Sequence, residues 1–430
     1  MLPHIRAGFV LLNGGHWSGI YRLCHAIEYI DIYINFRRIF IYMYNRLLLD
    51  QIKKQLKLGK SLFLIGPRQV GKTTLCHQIK FDVVINLAVV SEKLKIEKDP
   101  TYIEKLINSQ KKKVLVYIDE VQKIPELFDS IQTLIDQKKA QFVLTGSSVR
   151  KLKKHSDLNL APGRIINFRL DPFCLSEKND ELDQILAYGQ LPRIAIEEDT
   201  EQKDLELRSY VENYIEEEIR KETRLRSIAP FARFLELAAL QSGQISNFSE
   251  ISKELGPTVV TVQNYFQILE DTLFVERIDP YLKNASRKKL TKSSRYLFFD
   301  LGVRRILAQE ASRFNPSRKG QLFEHFIGNE IIKWIRLKKR NAKLYYWRDS
   351  DGPEIDWLIE CDGQLLPIEV KMQTSPSQQA AKHLLVFINE YKNARRGLIV
   401  STSEIDFKVH DNVDVISYLN LFEYLDRWAK

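Results

Sequence analysis

The sequence predicts an α/β fold of more than one domain, and three observations carry that expectation. The apolar runs Ser61–Ile65 and Val114–Ile118 are continuous rather than alternating, as strands of a parallel sheet buried on both faces must be. Between the first run and a helical stretch lies the glycine-bounded segment Gly66–Thr73. Far downstream, Asp356–Glu360 and Leu365–Lys371 alternate around Asp362-Gly363, a two-residue hairpin turn. At 430 residues the chain exceeds what one core ordinarily serves, so three folded parts are expected, at residues 43–200, 205–310 and 318–430.

Composition narrows the class. Hydrophobic residues at 44% and charged residues at 28% describe a globular chain, and the formal net charge of +10 would attract a polyanion without specifying one. Cys24, Cys76, Cys174 and Cys361 form no Cys-x-x-Cys pair, which argues against a cysteine metal site or a disulfide framework and fits a reducing, cytoplasmic setting. No stretch reaches the roughly 18 to 20 uncharged apolar residues of a membrane span. The Ile- and Tyr-rich segment 27–49 is broken by Glu28, Asp31, Arg37, Arg38 and Arg46, so no membrane partner is expected. Residues 1–42 show no helical or alternating period and lack the layout of a secretory signal, and read as an N-terminal appendage or a misplaced start ahead of Met43.

The segment Gly66-Pro-Arg-Gln-Val-Gly-Lys72-Thr73 fits G-x-x-x-x-G-K-[ST] between a strand and a helix. Backbone N–H groups of such a loop, with the positive end of the following helix, cradle phosphates. Gly66, Pro67, Arg68, Gln69, Val70, Gly71, Lys72, Thr73 and Thr74 would bind the nucleotide. Lys72 would reach the β/γ-phosphates, and the Thr73 hydroxyl would ligate magnesium. The second apolar strand ends in Asp119-Glu120. Asp119 would hold magnesium through water, and Glu120 would orient and deprotonate the attacking water. ATP and Mg²⁺ are the cofactors these residues call for. After the amphipathic helix 126–136 and a third strand, Gln141–Thr145, the turn Gly146-Ser147-Ser148 offers a side chain beside the γ-phosphate. Ser147 is favoured over Thr145, with plain turn chemistry the alternative. Arg164 is either a charge-stabilising arginine or a surface one.

These residues resemble a prokaryotic AAA+ family whose members join a P-loop ATPase to a C-terminal domain of unknown function. The resemblance lies in Gly66–Leu75, in Val114–Pro125 with its Asp-Glu-Val-Gln-Lys-Ile-Pro, and in Leu144–Leu152. It continues through Tyr188-Gly189-Gln190-Leu191-Pro192, where the family usually shows a glycine in place of Gln190, and through Tyr210–Ile219, Asp300-Leu301-Gly302 and Tyr346–Lys371. It implies an AAA+ ATPase fold on a small sheet core.

The segment 247–275 reads as helix, turn, helix: Ile251 and Leu255, then Gly256-Pro257, then Val262, Phe266 and Leu269. With 273–278 and 296–299 as a wing, this is winged-helix spacing. Thr258, Thr261, Gln263, Asn264 and Gln267 would face outward, and Lys283, Arg287, Lys288, Lys289, Lys292 and Arg295 would meet phosphates. The alternative is a winged helix that only packs against the ATPase.

In the last module the two-residue turn sets the register, so Asp356 faces Glu369 and Lys371 shares their face, with Trp357, Ile359, Ile368 and Val370 on the other. Two carboxylates about 5 Å apart repel unless a cation separates them. Asp356…Glu369-x-Lys371 resembles the restriction-endonuclease-like signature. Glu324 shares a helical stripe with Ile327 and Ile331 and points inward; in the resembled fold a helical glutamate often completes the site. Asp356 and Glu369 are candidate metal ligands, and Glu324, Asp356, Glu369 and Lys371 candidate catalytic residues. The alternative is an exposed hairpin with an Asp356–Lys371 ion pair.

The expected protein is an ATP-hydrolysing enzyme whose C-terminal module acts on nucleic acid, DNA foremost, as a magnesium-dependent nuclease. The alternative is a nucleotide-dependent switch with an inactive nuclease-like domain that grips DNA or a protein partner. A homo-oligomer is compatible with either.

Overall fold

The computed structural model describes residues 44–147, 164–215, 229–283, 290–338, 341–349 and 352–430. The proposed appendage and the basic residues Arg287, Lys288 and Lys289 lie outside them. Residues 46–430 form one compact unit. Its first part alternates α1 (Leu48–Lys57), β1 (Ser61–Ile65), α2 (Lys72–Cys76), β2 (Val83–Asn86), α3 (Val90–Lys98), α4 (Tyr102–Asn108), β3 (Val114–Asp119), α5 (Leu127–Asp136), β4 (Ala140–Gly146) and β5 (Ile165–Arg169). The helix after the loop is five residues long and ends at Cys76, where the sequence suggested Lys80.

The five strands are all parallel, in the order β2-β3-β4-β1-β5. Leu62 and Leu64 enter one apolar core and Phe63 the other, so both faces are covered and the strands read as unbroken apolar runs. Register pairs Ile65 with Gly146 and Asn86 with Asp119, so the phosphate loop, Asp119-Glu120 and Ser147 all leave the sheet at its C-terminal edge. Parallel sheets bind ligands at that edge.

Helices dominate the middle: α6 (Leu182–Tyr188), α7 (Pro192–Ile196), α8 (Thr200–Tyr214), α9 (Ala229–Leu240), α10 (Phe248–Leu255) and α11 (Val259–Asp271), then strands β6 (Val275–Ile278) and β7 (Arg295–Phe298), and α12 (Leu301–Leu307). Asn247 and Thr258 cap α10 and α11, and Gly256 at φ +90° makes the left-handed stop between them. Gln263, Asn264 and Gln267 are exposed on α11. Antiparallel β6 and β7 do not stand free. Tyr281 N donates to Tyr346 O (2.8 Å) and Thr291 N to Arg348 O (3.2 Å), so Tyr281 and Thr291 each bond to an outer strand, Lys343–Arg348, of the C-terminal sheet. The segments 188–192 and 300–302 meet: Asp300 accepts from Gln190 N (2.7 Å) and Val303 N (3.1 Å), and a Cβ on Gly302 would stand 2.1 Å from Tyr188 O.

The C-terminal part comprises α13 (Pro316–Leu337), β8 (Lys343–Arg348), β9 (Glu354–Cys361), β10 (Gln364–Lys371), α14 (Lys382–Glu390), β11 (Gly397–Ser401), β12 (Phe407–His410), β13 (Val413–Ser417) and α15 (Leu421–Trp428). Its mixed sheet runs β12-β13-β11-β10-β9-β8. α13 covers one face over Trp357, Ile359, Leu366 and Ile368; α14 covers the other over Leu358, Leu365 and Ile399. α13 begins at Pro316 behind the Asn315 cap, earlier than the start near Gln321 that the sequence suggested.

Candidate nucleotide site and C-terminal acidic site

Two clusters hold most of the sequence-predicted residues. In the first, Gln69 (φ +61°) and Gly71 (φ +92°) turn the loop back through left-handed backbone. Lys72 is buried and donates to Gly66 O and Pro67 O, both at 2.8 Å, so its ammonium lies across the mouth of the loop. A Cβ on Gly66 would meet Leu170 O at 2.3 Å, which leaves glycine as the residue that fits there.

Thr73 Oγ1 donates to Asp119 Oδ2 at 3.0 Å. The hydroxyl that would ligate magnesium thus sits beside the Asp119 carboxylate, which fits an ion held by Thr73 directly and by Asp119 through one of the waters that magnesium keeps. Thr145 Oγ1 donates to the other Asp119 oxygen. Glu120, in left-handed backbone at φ +57°, receives hydrogen bonds from Gln122 Nε2 and from Ser147 Oγ (3.1 Å). Ser147 and Thr145 thus divide: one touches the glutamate, the other the aspartate. Gln122, buried at the strand end, joins the cluster without having been singled out from sequence. Pro67, Arg68, Val70 and Thr74 complete the loop and its first helical turn. Arg164 is exposed and paired with Asp136 (2.6 Å).

The second cluster lies on β9, β10 and α13. The register observed between β9 and β10, from Gln364–Cys361 to Ile368–Trp357, is the one the two-residue turn predicts. Regular alternation fails at one point. Tyr345 pairs with Leu358 and Trp347 with Ile355, so Asp356 and Trp357 together oppose Tyr346. This bulge re-aims the strand end, and Ile355 packs with Leu358 rather than with Trp357.

Asp356 Oδ2 accepts from Val370 N at 2.8 Å and stands 4.0 Å from Lys371 Nζ. Lys371 is closer to Glu369, at 2.7 Å from Oε2. The simple Asp356–Lys371 pair is therefore secondary. The other Glu369 oxygen, Oε1, is buried with no hydrogen-bond partner. Burial and then the Asp356 charge push the Glu369 carboxyl well above its ordinary range. Burial opposes a charged Lys371, but Asp356 and Glu369 outweigh it and hold Lys371 above its usual value.

Glu324 reaches the cluster from α13 and, through Oε1, accepts from Arg295 Nη1 at 2.8 Å. Burial first, then Asp356, push Glu324 up to about 8 against the relief that Arg295 supplies. Arg295 was expected at a phosphate-contacting surface. It is instead 5% exposed, because its strand is covered by the C-terminal sheet. Lys283 likewise turns to Glu360 (2.8 and 2.9 Å), while Lys292 is exposed. Only the fold reveals Arg295, since no local motif ties residue 295 to residue 324. Among the described residues no three His, Cys, Asp or Glu side chains are grouped as metal ligands. An unpartnered buried carboxylate oxygen beside a second carboxylate still fits a divalent cation, which would supply the missing positive charge.

The two clusters are linked. Arg46 donates to Val70 O in the loop (2.8 Å) and to Asp171 O (2.6 Å). Asp171 Oδ1 accepts from Arg336 at the end of α13 (2.7 Å), and Arg336 also pairs with Glu276 on β6 (2.7 Å). Arg169 closes the group by pairing with Glu276 and Asp171. About one turn earlier on α13, buried Lys333 donates to Phe173 O (2.7 Å), Gln190 Oε1 (2.7 Å) and Glu330 (2.8 Å).

Three segments of the chain match families of known proteins. Residues 59–179 match an AAA domain, 179–313 a domain of unknown function (DUF8612), and 319–421 another (DUF4143). An uncharacterized protein of Mycobacterium tuberculosis is 25% identical over 337 residues, covering 76% of this chain and 74% of its own. One of Methanocaldococcus jannaschii is 23% identical over 420 residues, covering 85% and 86%. Among solved structures, the Aeropyrum pernix ORC1 protein in complex with DNA aligns over 58% of this chain and 86% of its own at 14% identity, with a TM-score of 0.24, too loose a superposition to add to the fold described above. No helix among the described residues is long and apolar enough to cross a membrane. Segment 59–179, which carries the phosphate loop and the Asp119-Glu120 strand end, thus matches an AAA domain, on one chain with a C-terminal segment, 319–421, that matches a family of unknown function.

Proposed function

We propose that this chain binds and hydrolyses ATP and that its nucleotide state governs a C-terminal acidic site that takes a divalent cation and acts on the phosphodiester backbone of nucleic acid, DNA foremost. The folded parts would be an ATPase at 43–200, a helical region at 205–310 and a nuclease-like end at 318–430, working in the cytoplasm. The observation that carries the cation site is Glu369 Oε1, buried without a donor beside Asp356.

In the first site the loop would bind the phosphates, with Lys72 exchanging its contacts to Gly66 O and Pro67 O for phosphate oxygens. Thr73 and Asp119 would hold magnesium, whose charge offsets that of the triphosphate. Glu120, held by Ser147 and Gln122, would take the proton of the attacking water. In the second site Asp356 and Glu369 would hold the cation, and Lys371 would polarise a phosphate or a water. The Arg46–Asp171–Arg336 contacts support communication between the two sites.

Plasmid incubated with Mg²⁺ or Mn²⁺ tests this reading. Cleavage should be lost in Asp356→Ala and altered by nucleotide in the wild type but not in Lys72→Ala. Cleavage that persists in Asp356→Ala removes the nuclease assignment. A second reading, a nucleotide-controlled switch that binds DNA or a protein without cutting, is favoured by the engagement of Glu324 with Arg295 and of Lys371 with Glu369. DNA binding without cleavage would select it.

A further inference from the structure

We propose that Arg295 is a positioning residue of the C-terminal acidic site: from β7 it holds Glu324 as its own ion-pair partner and keeps it out of the cation set formed by Asp356 and Glu369. This rests on the acidic site taking a divalent cation. Arg295 Nη1 bridges two elements, donating to Glu324 Oε1 on α13 at 2.8 Å and to the Asp356 carbonyl on β9 at 3.3 Å. Its guanidinium lies 4.6 Å over the Tyr346 ring and 5.6 Å from that of Trp357, and the Trp357 indole donates to Glu324 O at 3.1 Å. Stacking on aromatic faces fixes the plane of an arginine, and here it fixes the carboxylate that the arginine grips.

The consequence is electrostatic. Glu324 is near enough to Asp356 and Glu369 for their charges to act on one another. Without Arg295, three carboxylates would share one cation; with it, one is neutralised and a fixed positive charge stands beside the site. Both effects weaken cation binding. Arg295 belongs to the strand pair whose other member, β6, carries Glu276 of the buried ionic group, so the clamp sits on the element through which the middle region touches both sites.

The test is Mn²⁺ titration of the full chain without nucleotide, following free Mn²⁺ by electron paramagnetic resonance and counting the sites lost in Asp356→Ala. Arg295→Met should tighten the Asp356-dependent site by about tenfold or more, as expected for removing a nearby like charge. Arg295→Met combined with Glu324→Gln should return it to wild-type strength. Arg295→Lys, which keeps the charge, should stay close to wild type. Weaker or unchanged binding in Arg295→Met overturns the proposal, because a purely structural arginine would lower affinity whether or not Glu324 is present. Glu324→Gln alone decides independently of how Arg295→Met folds. It leaves Arg295 as an unpaired positive charge and should weaken Mn²⁺ binding by no more than about tenfold; complete loss of the Asp356-dependent site would make Glu324 a ligand already and sink the clamp. Absence of an Asp356-dependent site in the wild type would instead remove the acidic-site reading and this inference with it.

Discussion

Asp171 accepts Arg336 through its carboxylate and Arg46 through its carbonyl, at 2.7 and 2.6 Å, so one residue ties the far end of α13 to the arginine that holds the phosphate loop. Arg336 is held well above its ordinary value; burial works against the charge, but Asp171 and Glu276 outweigh it. Removing one partner from such a group strands the others in a poorly solvated place. Arg336→Met should lower unfolding stability by about 3 kcal/mol, measured by denaturant titration. It should also uncouple the sites. Adding an ATP analogue with Mg²⁺ should alter hydrogen exchange in β9–β10 of the wild type, and in Arg336→Met only at the loop. Equal responses in both proteins would exclude this route.

Two glycines on α13 offer a contrast. A Cβ on Gly328 would stand 2.7 Å from Trp357 and 2.9 Å from Leu297, whereas a Cβ on Gly320 would meet nothing within 4 Å. Alanine in a helix interior is worth about 1 kcal/mol over glycine. Gly320→Ala should therefore stabilise by up to about that amount. Gly328→Ala should destabilise by roughly 1–3 kcal/mol through overpacking, because the helix must rise off the sheet. Thermal unfolding of both variants reads the difference, and equal shifts would mean that α13 is not seated as closely as described.

How much of this was legible beforehand follows from chain distance. The phosphate loop, the Asp119-Glu120 strand end and the β9–β10 register are local patterns, a few residues long, and each reappears in the fold. The bulge at Asp356–Trp357 depends on β8, whose pairing a two-strand argument does not contain. Arg295, read from its basic neighbours as a phosphate contact, is buried because a strand from another part of the chain covers it. The ionic group of Arg169, Asp171, Glu276 and Arg336 joins three stretches of sequence with no shared motif.

The Glu324 carboxyl gives a pH signature in metal-free protein. Its value rises from an ordinary 4.5 to about 8 on folding, so the folded protein keeps a proton that the unfolded chain has released. Its contribution to stability is fully present below pH 4.5 and is lost as pH climbs towards 8; Glu369 acts in the same direction. Glu324→Gln cannot lose that proton. Melting temperatures in EDTA should match wild type near pH 4.5 and exceed it increasingly up to pH 8. Parallel profiles would show that Glu324 is not confined as described.

Every later step depends on the phosphate loop holding a nucleotide. Equilibrium binding of a fluorescent ATP analogue to the purified chain with Mg²⁺ measures that directly. Saturable binding that Lys72→Ala weakens at least about tenfold is the predicted result, since Lys72 supplies the point charge for the β/γ-phosphates. Absence of saturable binding, or equal binding by Lys72→Ala, would contradict the account.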